Sequence, residues 1–190
     1  MEQSFFDDSI FEQADLIDGS LSKGEYDGCK FVNCDLSNAH LSEIRFVDCQ
    51  FMGCNLSMAN IAKTVFRDAV FKNCKMLGLQ FDTSHDFGLS FRFENCVLNH
   101  ATFFQTKIRN THFVHCQLIE VDFAACDLTA AVFDESDLSG AVFDQSVLEK
   151  ADFSKAHNYT IDPETNKLKG ARFSMAGLGG LLQKYGIVIK

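Results

Sequence analysis

A parallel β-solenoid with four walls is the fold this sequence predicts, and three observations carry it. Large apolar residues recur every fifth position, small residues stand two places before them, and like residues recur every twenty. The first ladder runs Phe6, Phe11, Leu16, Leu21, Tyr26, Phe31, Leu36, Leu41, Phe46, Phe51, Leu56, Ile61, Phe66, Phe71, Met76, Phe81. The phase then slips by two residues. It resumes as Phe93, Leu98, Phe103, Ile108, Phe113, Leu118, Phe123, Leu128, Phe133, Leu138, Phe143, Leu148, Phe153. In a chain that is 46% apolar, so unbroken a ladder would arise by chance with a probability of roughly 10⁻¹⁰.

The small site reads, for example, Cys29, Cys34, Ala39, Cys49, Cys54, Ala59 in the first ladder and Cys96, Ala101, Thr106, Thr111, Cys116 in the second. Ile44, Leu79, Phe91 and Val121 are the large exceptions. The unit is therefore small–x–large–x–x. A period of five is neither the 3.6 of a surface helix nor the 2 of a lone strand. The small and large side chains both point inward, and the chain must turn before the next pair. Read in fours, the ladders give Tyr-Phe-Leu-Leu over Phe-Phe-Leu-Ile, then Phe-Leu-Phe-Ile over Phe-Leu-Phe-Leu. Four units thus close one square coil, and like residues stack on like in parallel ladders. At ~4.8 Å per rung, about nine coils make a rod ~40 Å long.

Two breaks interrupt the pattern. Residues 82–92, beginning Asp82-Thr83-Ser84-His85-Asp86-Phe87-Gly88, hold two extra residues and read as a bulge joining two coil stacks or as a small loop that touches a partner. Residues 154–167 lose the motif, but Leu168 and Phe173 keep the phase, and Pro163 suits an edge or turn. Residues 1–176 are thus expected to form the solenoid and 177–190 a C-terminal cap and dimerisation tail. In that tail Leu178, Leu181, Leu182 and Tyr185 fall at helical spacing, Gly186 is a helix stop, and Ile187-Val188-Ile189 reads as a short strand. These seven apolar residues are the expected dimer interface, since a bare solenoid end must be capped or paired.

Composition narrows the function. Lys and Arg number 17 against 26 Asp and Glu, a net charge of −9, which disfavours direct nucleic-acid binding and suits a basic partner. No apolar run approaches the ~18 residues of a membrane span, and the acidic start MEQSFFDDS has no secretory core, so the expected location is cytoplasmic. All eight Cys occupy the small inward site and are expected to be reduced and structural. His112, His115 and Cys116 resemble a metal cluster only superficially, because Cys116 points in and both His point out. No catalytic triad, phosphate loop or HExxH motif occurs, and the filled interior leaves no pocket. No enzyme activity, cofactor or metal is expected.

The acids concentrate instead. Residues 110–149 contain no Lys or Arg but carry Glu120, Asp122, Asp127, Asp134, Glu135, Asp137, Asp144 and Glu149. Those two coils span ~10 Å of rod, a length over which B-DNA carries about six charges. The acids fall about two per side, and Asp122, Asp127 and Asp137 share one motif position, so a solubilising coat or a backbone role is open too. A second acidic stretch is Glu2, Asp7, Asp8, Glu12, Asp15 and Asp18.

The chain resembles the pentapeptide-repeat family, whose motif A(D/N)LXX stands here as Ala14-Asp15-Leu16, Cys34-Asp35-Leu36, Cys54-Asn55-Leu56, Cys126-Asp127-Leu128, Ser136-Asp137-Leu138 and Ala151-Asp152-Phe153. The resemblance implies a right-handed quadrilateral β-helix. Length, acidity, the mid-chain phase break and the tail are similar to the Qnr- and MfpA-type topoisomerase-protecting branch. That resemblance implies a homodimeric DNA mimic whose eight acids face DNA gyrase or topoisomerase IV, with quinolone protection as the outcome. The long projecting loop of Qnr-type members is missing, so a loop-poor, MfpA-like interaction is the closer analogy. The alternative is an adaptor rod that scaffolds an unrelated protein through the phase-break loop or the tail.

Overall fold

Each five-residue unit turns the chain through one corner, and the corner is the residue two places after the large one. The computed structural model describes residues 4–13 and 21–188, and most of the corner residues among these lie in the left-handed region. Asn33 has φ +52°, Asn73 +53° and Asn110 +58°. That conformation costs most L-residues about 1–2 kcal/mol, and Asn, Asp and Gly adopt it most readily. The corner amide offsets the cost by bonding to the following coil: Asn33 N donates to Met52 O (2.8 Å), Asn73 N to Glu94 O (2.9 Å) and Asn110 N to Thr129 O (2.9 Å). The sequence pattern left the last two places of the unit open, yet the last is the hinge of most turns.

Two walls are regular parallel sheets. The first holds β1 (Ser4–Asp7), β3 (Gly24–Asp27), β5 (Arg45–Val47) and β7 (Val65–Arg67). The second holds nine strands: β2 (Ile10–Glu12), β4 (Lys30–Val32), β6 (Gln50–Met52), β8 (Ala69–Lys72), β9 (Phe91–Glu94), β10 (His112–Val114), β11 (Val132–Asp134), β12 (Asp152–Phe153) and β13 (Arg172–Phe173). Nine rungs on one wall match the coil number expected from the sequence. The third and fourth walls are single bridges, such as Asp35↔Asn55 and Asp122↔Val142. Partners are twenty residues apart until the phase slip, where Phe71 pairs with Phe93. The rod continues through the irregular 154–167 coil, because Phe153 pairs with Phe173 and Tyr159 and Ile161 are buried in place of ladder residues. The motif Ala14-Asp15-Leu16 and the acids Glu2, Asp15 and Asp18 lie outside the described residues, as does Ile189.

Phenylalanine fills the tube in two columns. On the second wall Phe11, Phe31, Phe51, Phe71, Phe93, Phe113, Phe133, Phe153 and Phe173 stack at 4.7–5.3 Å with nearly parallel rings. The other column starts on the first wall, ending at Phe66, and is handed to Phe81, Phe103, Phe123 and Phe143 on the fourth. Phe91 bridges the handover, 5.6 Å from Phe66 and 5.2 Å from Phe81. The change from Phe-Phe-Leu-Leu to alternating Phe-Leu is this transfer. Residues 84–90 leave the first wall where it occurs.

The C-terminal end is closed by short helical turns: 3₁₀ at Ala176–Leu178, α1 at Gly179–Leu182 and 3₁₀ at Gln183–Tyr185. Gly177 and Gly180 lie against Tyr159 so closely that a Cβ on either would collide with it, and Leu181 packs on the core. Gly186 ends the turns at φ +60°, as its position suggested. The strand expected at Ile187-Val188-Ile189 is corrected: Ile187 and Val188 are exposed and outside any strand. The second wall ends at β13, and Ile187 and Val188 pair with no strand among the described residues.

Phe113 is fully buried between Phe93 and Phe133. Its replacement by Ala is expected to cost about 3–5 kcal/mol in denaturant unfolding. At the corner, Asn73→Val is expected to cost about 1–2 kcal/mol while Asn73→Gly stays within about 1 kcal/mol of wild type.

Candidate partner-binding surface

The acids are positioned by local hydrogen bonding before they face any partner. Asp122, Asp127, Asp137 and Asp152 stand between the small and large residues of their units, and each accepts the amide of the residue two places on: Ala124 (2.8 Å), Thr129 (3.1 Å), Ser139 (3.0 Å) and Ser154 (2.9 Å). The hydroxyls of Thr129, Ser139 and Ser154 add a second bond of 2.6 Å each. Such a turn frees the backbone to enter the corner, and this is the backbone role the motif position suggested. It also fixes where each carboxylate points.

The eight predicted acids lie on all four walls and their corners rather than on one stripe. Asp127 and Glu149 belong to the first wall and Asp134 to the second, with Glu135 at the next corner. Asp137 belongs to the third wall, with Glu120 at the corner beyond it, and Asp122 and Asp144 to the fourth. Five of the eight have a side-chain partner from a neighbouring coil. Arg109 pairs with Asp127 at 2.7 Å, Lys155 with Asp134 at 3.0 Å, His100 with Glu120 at 3.2 Å and His157 with Glu135 at 3.3 Å. Asn158 donates to Asp137 at 2.9 Å. Asp144 and Glu149 have no ion pair among the described residues. The segment without bases is thus bordered by cations from the flanking rungs, and its net charge is lower than the sequence count suggests.

Burial pushes the Asp127 and Asp137 carboxyls up, but hydrogen bonds outweigh it. Arg109 and Thr129 hold Asp127 below the usual carboxylate range, and Ser139 and Asn158 do the same for Asp137. For Asp152 the bonds from Ser154 and Arg172 lower it. These carboxylates stay ionised wherever a basic partner could meet them.

Two further surface features border the acids. In the phase-break loop Phe87 is 74% exposed, its amide held by the His85 ring at 3.3 Å, above a cleft of about 400 Å³ lined in part by Lys107 and Arg109. At the C-terminal end Met175, Leu178, Tyr185, Ile187 and Val188 are exposed. Of the predicted interface, Leu181 and Leu182 are half-buried in the cap. Lys184 is anchored by Asp162 (2.6 Å) and Glu164 (2.8 Å), which hold its ammonium above the usual lysine range despite desolvation.

The inward thiols prove to be hydrogen-bond donors. Cys49 Sγ donates to Tyr26 O (3.2 Å), Cys54 to Phe31 O (3.3 Å), Cys74 to Phe51 O (3.4 Å) and Cys96 to Phe71 O (3.4 Å). Ser136, Ser146, Thr64 and Asn166 make the same bond to the large residue one coil earlier. Their position alone makes these Cys small apolar fillers, and the bonds add a second role. The signal was there in the interchange of Cys with Ser and Thr, which share a hydrogen but not hydrophobicity. Burial pushes Cys49 and Cys126 up to about 12. Cys116 faces the core, His112 lies on β10 and His115 is exposed at a corner.

This geometry defines a repeat solenoid, and the repeats identify its class. A pentapeptide-repeat region matches residues 25–103 and eight copies of the pentapeptide repeat match 122–157, which between them cover more than half of the chain; the chain belongs to the pentapeptide-repeat family. The family's solenoid is a scaffold for protein–protein interaction and not a known enzyme fold. Among solved structures the chain is similar to a trypsin-treated, singly substituted form of QnrB1, a plasmid-mediated fluoroquinolone resistance protein. That match has 18% identity and a TM-score of 0.56, with 99% of this chain and 98% of the other covered. A second trypsin-treated QnrB1 variant matches at 22% identity and TM-score 0.50, with 98% and 92% covered. No curated protein matches the sequence. No helix among the described residues is long and apolar enough to cross a membrane.

The lowered Asp carboxyls carry a pH signature. A folded-state value below the unfolded one contributes stability that is present above the ordinary carboxylate range and lost as pH falls through it. The melting temperature is therefore expected to drop below about pH 4, where unperturbed carboxyls titrate, and the drop should be shallower in Asp137→Asn, which keeps the amide acceptor but removes the charge. Thermal melts from pH 3 to 7 read this directly.

Proposed function

We propose that the protein is a binding module that imitates DNA toward a type II topoisomerase, presenting Glu120, Asp122, Asp127, Asp134, Glu135, Asp137, Asp144 and Glu149 to the basic DNA-binding saddle of gyrase or topoisomerase IV. The observation that carries this reading is the base-free stretch 110–149 wound into two coils, with carboxylates on every side, most of them held by side-chain or turn bonds, at a linear density near that of a duplex. QnrB1, whose fold spans nearly the whole chain, is described as a fluoroquinolone resistance protein, and protection from quinolones is part of the proposal. No bond is made or broken; steering and shape supply recognition. The 177–190 tail serves as the dimerisation element, joining two rods through Leu178, Tyr185, Ile187 and Val188, with Leu181 and Leu182 supporting them from the cap.

Purified protein is expected to inhibit gyrase supercoiling or rescue it from a quinolone, and to bind at least about tenfold more weakly at 200 mM than at 50 mM salt. Neutralising Glu120, Glu135, Asp144 and Glu149 together to Gln and Asn, which keeps the backbone and removes only carboxylates that bond to no backbone amide among the described residues, should abolish the effect with the melting temperature retained. Absence of any effect of the wild type on gyrase or topoisomerase IV at all concentrations overturns the reading. For the dimer, analytical ultracentrifugation should give twice the chain mass, shifting to the single chain in Ile187→Lys/Val188→Asp.

Exposed Phe87 favours a second reading, an adaptor rod that docks another protein on the phase-break loop. Salt-insensitive capture of a non-topoisomerase partner, lost in Phe87→Ser, would select it.

A further inference from the structure

We propose that the file of thiols Cys34, Cys54, Cys74, Cys96 and Cys116 is a binding site for a soft monovalent d¹⁰ cation, Cu(I) or Ag(I), held linearly between the sulfurs of successive rungs. The Cys34–Cys54 and Cys54–Cys74 steps, below the phase slip, are its best seats.

The backbone stacks these residues one above another. Asn55 N donates to Cys34 O (3.0 Å), Lys75 N to Cys54 O (2.9 Å), Val97 N to Cys74 O (3.0 Å) and Gln117 N to Cys96 O (2.9 Å). Cys54, Cys74 and Cys96 also aim their Sγ atoms at the same target, the carbonyl of the large residue one coil earlier. Equal aim on stacked backbones puts the sulfurs of Cys54, Cys74 and Cys96 about one rung, ~4.8 Å, apart. The parallel ladder sets that spacing at ~4.8 Å, and the rings of the adjoining column follow it most closely below the phase slip: Phe31–Phe51 4.7 Å and Phe51–Phe71 4.8 Å, against Phe71–Phe93 5.3 Å and Phe93–Phe113 5.1 Å.

Those lengths decide the chemistry. A metal–thiolate bond is about 2.3 Å, so two placed end to end span about 4.6 Å, close to the steps below the phase slip. A disulfide needs Cβ atoms about 3.8 Å apart and would require the rungs to draw together. Zinc needs about four converging ligands, and no group of three or more Cys, His, Asp or Glu converges among the described residues. Two thiols in line suit a soft ion content with two ligands.

Charge fits as well. The five thiols are at most 2% exposed, and a buried anion without a counter-charge is costly. A monovalent ion M⁺ and two thiols give RS–M–S(H)R and one proton released to solvent, a neutral product. One weak S–H···O bond is exchanged for two metal–sulfur bonds, and the remaining thiol keeps its hydrogen. The ion enters by local opening of the corner, so uptake is slow compared with that of an exposed thiol. Cys29 and Cys49 form a shorter stack beside a wider step, Tyr26–Phe46 at 5.5 Å.

The test uses the full reduced chain, without oxygen, titrated with Ag(I) against a competing ligand and followed by X-ray absorption and circular dichroism. Two double variants leave six thiols each. Cys54→Ser/Cys96→Ser leaves no two neighbours in the file, whereas Cys29→Ser/Cys126→Ser leaves the file whole. Both are expected to fold, since Ser136 and Ser146 already fill the same site and bond to the same carbonyls at 3.1 and 2.9 Å; melts check this. Expected are a first Ag(I) with two sulfur neighbours, release of one proton, intact β-structure, unchanged affinity in Cys29→Ser/Cys126→Ser and at least tenfold weaker binding in Cys54→Ser/Cys96→Ser. Equal binding by both variants, a shell of three or more sulfurs, no binding by the wild type, or uptake only with loss of β-structure overturns the proposal.

Discussion

Everything in this molecule depends on a corner that recurs every fifth residue and returns the chain to the same place after twenty. Once the corner amide is bonded to the next coil, the position of each side chain is set by its place in the unit. The small site, the large site and the outward site repeat with the spacing of the rungs. A left-handed corner is locally unfavourable for most residues, and it persists because the following coil holds its amide. The corner is therefore a cooperative feature: no single unit is stable alone, and each coil is the template for its neighbour.

The tube's contents follow from that repetition. Identical positions stack at a rung interval, which is near the optimum for offset aromatic rings, so one Phe per coil on one wall gives an unbroken column. A second aromatic per coil must share the remaining volume with Leu, and it can do so beside the first column or across from it. The chain uses both arrangements and joins them with Phe91 at the phase slip. The two extra residues there let the second column change walls without breaking the first. The same departure pushes Phe87 out to solvent, so a packing requirement inside the rod creates a surface feature outside it.

How much of this could be read from the chain depends on which interactions repeat. The ladder residues, the four walls, the two-residue slip and the continuity through 154–167 were legible because Phe, Leu and the small residues alternate without exception that matters. The corner was less legible, because His115, Ala125, Ala130 and Lys150 occupy it as well as Asn and Gly; its constraint is on backbone angle, which tolerates many side chains. The donor role of Cys was hidden by reading Cys as an apolar residue. The cross-coil ion pairs were accessible in principle, since Lys23–Glu43, Glu25–Arg45 and His100–Glu120 are each separated by one coil. Arg109–Asp127 and Lys155–Asp134 are offset from one-coil spacing, and only the folded chain reveals them. The tail was the poorest guide: three glycines in four residues weaken a helix, while Gly177 and Gly180 are required by contact with Tyr159, a residue that enters the core off the ladder's phase.

The acidic coils bring charge and rigidity together. A flexible acidic tail can match the charge of a duplex, but it must lose conformational entropy when it docks. Here the ordering has already been done in folding. Asp122, Asp127 and Asp137 are held by their own turns, and Glu120 and Glu135 by histidines one coil away. Six of the eight carboxylates thus keep their place on a frame whose rungs repeat regularly. That regularity has a cost in charge, because the flanking Arg109 and Lys155 that steady two of the acids also neutralise them. A surface made only to keep the protein soluble would gain nothing from such fixing, since solubility needs charge but not position. Positioned charge is useful to a surface that must be read by something equally rigid, and the shared backbone turn accounts for the motif aspartates alone. Asp144 and Glu149, with no ion pair among the described residues, are where those two explanations separate most cleanly.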